Sequence, residues 1–270
     1  MTISFAHDSR HLAETYDRLS DLQFEGGKSL VERLGLGDGI RVLDIGCGTG
    51  RLTRWIGERL DSTASVVGID PLEERIGIAR AHGGGTAGFE IGQAEDLGAF
   101  CDASMDTVVM ASVFHWLSDK AKALAEIRRV LRPGGRVGVT TNPQELSGAG
   151  TISRMLRPLL ERAPYAGRAD LSALTGGTRA CTSTDLVLLV LESGLELVEL
   201  HVTYRASEHA SGEAVLDFVE ASSFGNFFCI VPEDLRASLR RDLATAFESE
   251  RGPGGIVVRG WEALLVAKRL

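Results

Sequence analysis

Three glycines stand at alternate positions in "VLDIGCGTGRL", residues 42–52: Gly46, Gly48 and Gly50, with Asp44 two residues before the first. Glycine weakens a regular element and is kept where backbone must bend sharply or be approached closely. An apolar stretch runs into this turn and a helical pattern leaves it. Such a turn presents backbone N–H groups at the end of a strand. Asp70 closes the next apolar stretch, "SVVGID", about 20 residues further on, where a carboxylate can accept from both hydroxyls of a ribose. Turn and acid together point to a nucleoside. Asp44 bears on that ligand's charge. A dinucleotide site has the spacing G-x-G-x-x-G and seats a pyrophosphate on the turn, whereas here the spacing is G-x-G-x-G and a carboxylate lies beside it. Like charges repel, so a nucleoside with a cationic end suits this turn better.

The elements around these residues alternate. Apolar runs at 41–45, 65–70, 87–92, 106–112 and 136–141 read as strands, and the patterns at 50–60, 72–82 and 120–131 have helical spacing. Strand cores that are apolar on both faces, alternating with helices, mean parallel strands joined by right-handed crossovers, with helices on both faces of the sheet. The fold class is α/β. After Asn142 the rhythm breaks. Residues 145–181 are loop-like and helical, 183–194 read as a helix capped by Ser183 or Thr184 and ended by Gly194, and 195–206 alternate as a strand. Residues 207–252 give two helices separated by "SSFGNFFCIVP", and 259–270 form a last strand. We read 1–270 as a single domain with 145–181 and 207–252 as lid or substrate-binding insertions. Strand order cannot be read from periodicity.

Composition bounds the partners. The chain has 270 residues, 44% of them hydrophobic, and a formal charge of −8. An acidic surface is a poor partner for a polyanion, which is held by Lys and Arg, so nucleic acid is not expected. No basic segment followed by an apolar run opens the sequence, and no apolar stretch is long enough to span a bilayer. We expect no membrane association and a cytoplasmic location. Cys47, Cys101, Cys181 and Cys229 are scattered, without a CxxC or a histidine at ligand spacing. They read as reduced, buried thiols and not as a metal site or a disulfide framework. The sequence sets no oligomeric state.

S-adenosylmethionine is a nucleoside with a cationic end, a sulfonium and an ammonium beside an adenosine. The motifs "VLDIGCGTG", "VVGIDP", "IGQAEDL", "DTVVMASVFHWLSD" and "EIRRVLRPGGRVGVTT" resemble, in order and spacing, those of class I S-adenosylmethionine-dependent methyltransferases. The resemblance covers about residues 30–145. It is nearest to the small-molecule group with trans-aconitate and malonyl carrier-protein methyltransferases, whose aromatic-x-Trp after the fourth strand is matched by "FHWL". The resemblance implies a Rossmann-like sheet of seven strands, the last antiparallel, and a helical lid. It implies that Gly46, Gly48 and Gly50 wrap the methionine and ribose, and that Asp44 orients the turn and the ammonium. Asp70 would bind the ribose, with Pro71 and Leu72 next along the chain and Leu72 over the adenine. Ala94 and Glu95 would flank the adenine edge, Ala111 would offer its carbonyl to the ammonium, and Tyr16 would come from an N-terminal helix that folds over the cofactor. Gln93 departs from the aspartate common in relatives, but its amide carbonyl can still accept.

Methyl transfer from a sulfonium is an in-line displacement by an already activated donor, so it calls mainly for positioning. His115 follows the fourth strand. It is either a base, with an ordinary pKa near 6.5, or a positioning residue. Trp116 would wall the acceptor site. Phe224, Phe227 and Phe228 either line an apolar substrate pocket or form the core of the lid. The expected function is transfer of a methyl group to a small-molecule acceptor, with S-adenosylhomocysteine as product and no metal. The alternatives are an NAD(P)-dependent oxidoreductase and a non-catalytic S-adenosylmethionine-binding protein.

Overall fold

The computed structural model describes residues 4–83, 85–144, 150–171 and 181–270. The chain divides into two compact units. One comprises Asp21–Pro143, Ala180–Thr203 and Glu262–Leu270; the other comprises Met1–Ser20, Gln144–Arg179 and Tyr204–Trp261. Residues 145–149 and 172–180 of the expected insertion 145–181 lie outside the described residues.

A seven-stranded sheet organises the first unit, except that β6 beyond Thr203 and β7 before Glu262 are counted with the other unit. Its strands are β1 (Arg41–Ile45), β2 (Ser65–Asp70), β3 (Ala87–Ile91), β4 (Met105–Ala111), β5 (Leu131–Thr141), β6 (Leu195–His209) and β7 (Ile256–Arg269). Their order is β3-β2-β1-β4-β5-β7-β6. The pairs β1–β2, β1–β4, β2–β3 and β4–β5 are parallel, and β5–β7 is antiparallel. The expectation of a mostly parallel seven-stranded sheet is met. Strand alternation sends Leu43 and Ile45 to one face, where Leu124 and Ile127 of α5 (Lys120–Val130) and Leu186 and Val190 of α7 (Ser183–Glu192) cover them. Val42, Val66 and Val109 go to the other face, against Leu30 and Leu34 of α2 (Asp21–Leu34) and Leu52 and Ile56 of α3 (Arg51–Gly57). Helix α4 (Glu73–Ala81) packs Ile76 and Ala79 on Phe89 of β3. Burying both faces is why these strands read as continuous apolar runs.

Some boundaries differ from expectation. Strand β5 begins at Leu131 and takes in "RPGG", which read as a helix stop; Gly134 supplies a φ of +78° there. Strand β7 begins at Ile256, and α7 is capped by Thr182. Thr182 and Asp185 form a reciprocal capping box, so Ser183 and Thr184 lie inside the helix. The buried-thiol expectation fails at Cys101, which is exposed; Cys47, Cys181 and Cys229 are half-buried.

The second unit has its own core. Helices α1 (Arg10–Leu19), α6 (Thr151–Leu160), α8 (Gly212–Ser222) and α9 (Glu233–Glu248) belong to it, with a short 3-10 turn at Phe227–Ile230. Leu156, Leu159, Tyr165, Val219, Phe228, Leu239 and Phe247 pack together, and the Tyr165 hydroxyl donates to Asp242 at 2.6 Å. Among the described residues no helix is long and apolar enough to cross a membrane.

Candidate active site

Strand order reverses direction between β1 and β4, since the chain builds outward from β1 to β3 and then returns to place β4 on β1's other side. In open α/β sheets the carboxyl ends of strands at such a switch point form a ligand crevice. The glycine turn lies there. Its first two N–H groups, from Gly46 and Cys47, donate to the Ile69 carbonyl at 2.7 and 3.0 Å, which ties the turn to β2. Gly46, Gly48 and Gly50 all have left-handed φ, +71°, +55° and +79°. The protein itself explains two of them. A Cβ on Gly46 would lie 2.2 Å from Val113 Cγ2, and one on Gly50 would lie 2.6 Å from the Phe89 ring. These glycines let the turn meet the loop after β4 and the side chain of β3.

Gly48 N donates to Asp70 Oδ2, and Leu72 N donates to Asp70 Oδ1, both at 2.9 Å. Asp70 thus joins the glycine turn to the start of the next helix. Asp44 is 1% exposed and accepts from Thr53 Oγ1 at 2.7 Å. Burial raises its pKa to about 7, the Thr53 bond opposes that rise, and Asp70 adds to it. Among the described residues no cation pairs with Asp44. The same burial and the two acids push the Cys47 thiol well up, so it is not a nucleophile.

Beyond β4 the chain turns through Ser112, whose φ is +61°. Its N–H donates to the Thr140 carbonyl and hydroxyl at 2.9 and 3.0 Å, which holds this unusual backbone. The next turn, Phe114–Trp116, carries His115. His115 is buried, with Nδ1 3.0 Å from Thr141 Oγ1 and its ring against Trp116 at 5.1 Å. Burial, and secondarily Lys120, lower its pKa to about 3. It is neutral across physiological pH.

Asp44, Gly46, Gly48, Gly50, Asp70, Pro71, Leu72, Gln93, Ala94, Glu95, Ala111, His115 and Trp116 all fall in the sheet unit. Leu72 and Ala94 are buried, and Gln93 is exposed. The Glu95 carboxylate is engaged by the chain after His115, accepting from Ser118 N, Ser118 Oγ and Asp119 N at 2.9–3.2 Å. Tyr16 lies on α1, and Phe224 and Phe228 near α8, all in the other unit. Phe224 is 8% and Phe228 5% exposed; Phe224 packs edge-on to Phe5, and Phe228 edge-on to Phe227. Thr53, Ser112 and Thr141 were not singled out from the sequence. A lone Thr or Ser carries no pattern, and only the fold shows what each hydroxyl or backbone N–H meets.

Among the described residues no cluster of metal-binding side chains occurs. The donor set fits S-adenosylmethionine: a glycine turn at the switch point, one buried acid linking turn to helix, and a second buried acid that no cation among the described residues pairs with.

Residues 43–139 match a family model described as a methyltransferase domain. They are a methyltransferase domain. Its motifs, and the order of the sheet it contributes to, are what the resemblance to class I, the S-adenosylmethionine-dependent kind, implies. An uncharacterized methyltransferase of Mycobacterium tuberculosis is 43% identical over 106 residues, which cover 39% of this chain and 41% of that protein. A malonyl-[acyl-carrier protein] O-methyltransferase of Hahella chejuensis is 37% identical over 134 residues, 48% of this chain and 46% of that protein. The chain thus spans less than half the length of these curated relatives. The YcgJ protein of Bacillus subtilis shares the fold of this chain, with a TM-score of 0.62 at 17% identity over 91% of this chain and 98% of its own.

Proposed function

We propose that this protein transfers the methyl group of S-adenosylmethionine to a small-molecule acceptor, mainly by positioning it. The observation that carries the reading is Asp44, a buried carboxylate beside the glycine turn with no cation paired to it among the described residues. A pyrophosphate would meet repulsion there, which disfavours NAD(P), and a cationic donor would meet attraction. Gly46, Gly48 and Gly50 would hold the methionine and ribose, Asp70 the ribose hydroxyls, Pro71 and Leu72 the adenine side, and Gln93 and Ala94 the adenine edge. Glu95 would act there through its backbone, because its carboxylate is taken by Ser118 and Asp119. Ala111 would offer its carbonyl to the ammonium. The bound donor supplies an electrophilic methyl on a sulfonium.

His115 serves this reaction as a positioning residue. A base whose conjugate acid has a pKa of about 3 has little affinity for an acceptor's proton at neutral pH. An acceptor that arrives ionised needs no base, and a carboxylate meets that condition. The relative named as a carrier-protein O-methyltransferase places an oxygen acceptor among the classes worth testing. Trp116 would wall the acceptor site. The inserted segments 145–181 and 207–252, with Tyr16, Phe224 and Phe228, would form the lid and acceptor-binding part. A cytoplasmic protein with no nucleic acid partner fits the acidic composition.

Isothermal titration decides the first step. S-adenosylhomocysteine is expected to bind in the micromolar range and NAD not at all. Tight NAD binding without a response to S-adenosylhomocysteine would sink the reading. Methyl release from labelled donor, screened over carboxylate, hydroxyl and amine acceptors, then identifies the acceptor atom.

A further inference from the structure

Helix α2 lays one stripe on the sheet, and the stripe changes character at its end. At helical spacing it reads Leu34, Leu30, Gly27 and Gln23. Leu30 and Leu34 press on β5 at Gly138, where an added Cβ would come 2.8 and 2.9 Å from their methyls. One turn on, a Cβ at Gly27 would lie 2.7 Å from Leu52 in the first turn of α3 and 3.5 Å from Ala111 Cβ at the end of β4. The stripe therefore runs toward the carboxyl ends of the strands. Gln23 lies one more turn along, about 6 Å beyond Gly27 in the same direction.

Where the sheet runs out, an apolar stripe thus gives way to an amide. Gln23 Oε1 is buried and has no hydrogen-bond partner among the described residues. Buried polar groups are nearly always paired, and an exception calls for a cause. The helix end that bears it is anchored beside the glycine turn: Asp21 pairs with Arg51 at 2.7 Å, and the Arg51 guanidinium lies 4.7 Å from the Phe24 ring centre.

We propose that Gln23 is a cofactor-binding residue whose side-chain amide holds the α-amino-acid end of the methyl donor. Its carbonyl accepts from the ammonium and its NH2 donates to the carboxylate. An amide offers both functions, which a zwitterion requires and neither a carboxylate nor an ammonium side chain provides. The proposal rests on the S-adenosylmethionine reading above.

Gln23→Leu conserves volume and removes the polar group. Titration compares S-adenosylhomocysteine with 5′-methylthioadenosine, which keeps the nucleoside and lacks the amino-acid end. The Kd for S-adenosylhomocysteine is expected to rise about tenfold, as for one lost hydrogen bond to a charged group, and that for methylthioadenosine to change by less than about twofold. The ligand-free variant should also melt about 2 °C higher, because an unsatisfied buried group is gone. Gln23→Asn, which keeps a shorter amide, should retain part of the discrimination and serves if the leucine variant does not fold. Equal losses for the two ligands, or no loss for S-adenosylhomocysteine, would overturn the proposal while leaving the donor reading intact. A native protein that binds neither nucleoside would overturn the donor reading, and this proposal with it.

Discussion

Asp44 and His115 respond to pH in opposite senses. In the fold Asp44 has a pKa of about 7 against an ordinary 3.8, so the folded chain keeps a proton that the unfolded chain releases. Its contribution to stability is present at low pH and falls as pH rises from about 4 to about 7. His115 has a pKa of about 3 in the fold against an ordinary 6.5, so the unfolded chain takes up the proton first. Its contribution is present at high pH and falls as pH drops from about 6.5 toward 3. Of these two groups, only Asp44 penalises the ligand-free fold above pH 7. Asp44→Asn should therefore stabilise the ligand-free protein at pH 8, on the order of 2 kcal/mol, as read by thermal denaturation across pH. The same substitution should remove a pH dependence of donor binding. In the native protein affinity should rise up to about tenfold per pH unit until about pH 7, as Asp44 ionises, and in the variant it should stay flat. For His115 we expect turnover without a histidine titration between pH 5 and 8. His115→Asn should keep most activity, and His115→Ala should mainly raise the Michaelis constant for the acceptor. A turnover loss of about 10²-fold or more in single-turnover assays of both variants would make His115 a base. Asp70→Ala should weaken donor binding by about 1.5–3 kcal/mol, and it should also destabilise the fold, because two buried N–H groups lose their acceptor.

At the scale of elements, the strand–turn–helix units were legible because their apolar periods are long and their glycines mark the turns. The reason for each glycine was not, since that depends on the side chain opposite. Gly46 and Gly35 make the comparison. Both have left-handed φ, +71° and +64°, but a Cβ on Gly46 collides with Val113, while nothing lies within 4 Å of one on Gly35. Gly35→Ala should cost only the backbone term, about 1 kcal/mol, and Gly46→Ala about 3 kcal/mol or more, measured by denaturant unfolding. The cap of α7 was misplaced by one or two residues because three hydroxyl residues, Thr182, Ser183 and Thr184, stand together. Only the reciprocal bond from Asp185 distinguishes Thr182. Strand β5 was read short because Pro133 and two glycines look like a stop, yet Leu131 pairs with Met105 across a bulge.

At the scale of the molecule, the class I sheet and its cofactor could be read from the first half of the sequence, but the division into two units could not. Each unit gathers three separate stretches of chain, and local patterns carry no record of which stretches meet. The family match ends at residue 139, whereas the sheet does not. Ala263, Leu264, Leu265, Val266 and Ala267 of β7 are all buried beside β5. A fragment holding only residues 21–143 would bare the outer side of β5 and the apolar faces that β7 covers. It should be largely unfolded or aggregated by circular dichroism and light scattering, and should not bind S-adenosylhomocysteine.

The place of β7 in the sheet also orders events on the ribosome. Strand β5 is translated well before its neighbour, because all of Gln144–Gly255 emerges first. During that interval the nascent sheet ends at β5 with its pairing groups unmet, and β6 emerges before the strand that separates it from β5. Translation therefore presents the wrong partner ahead of the right one. A nascent chain paused between β6 and β7 is where this protein would depend most on a chaperone to keep that slot open.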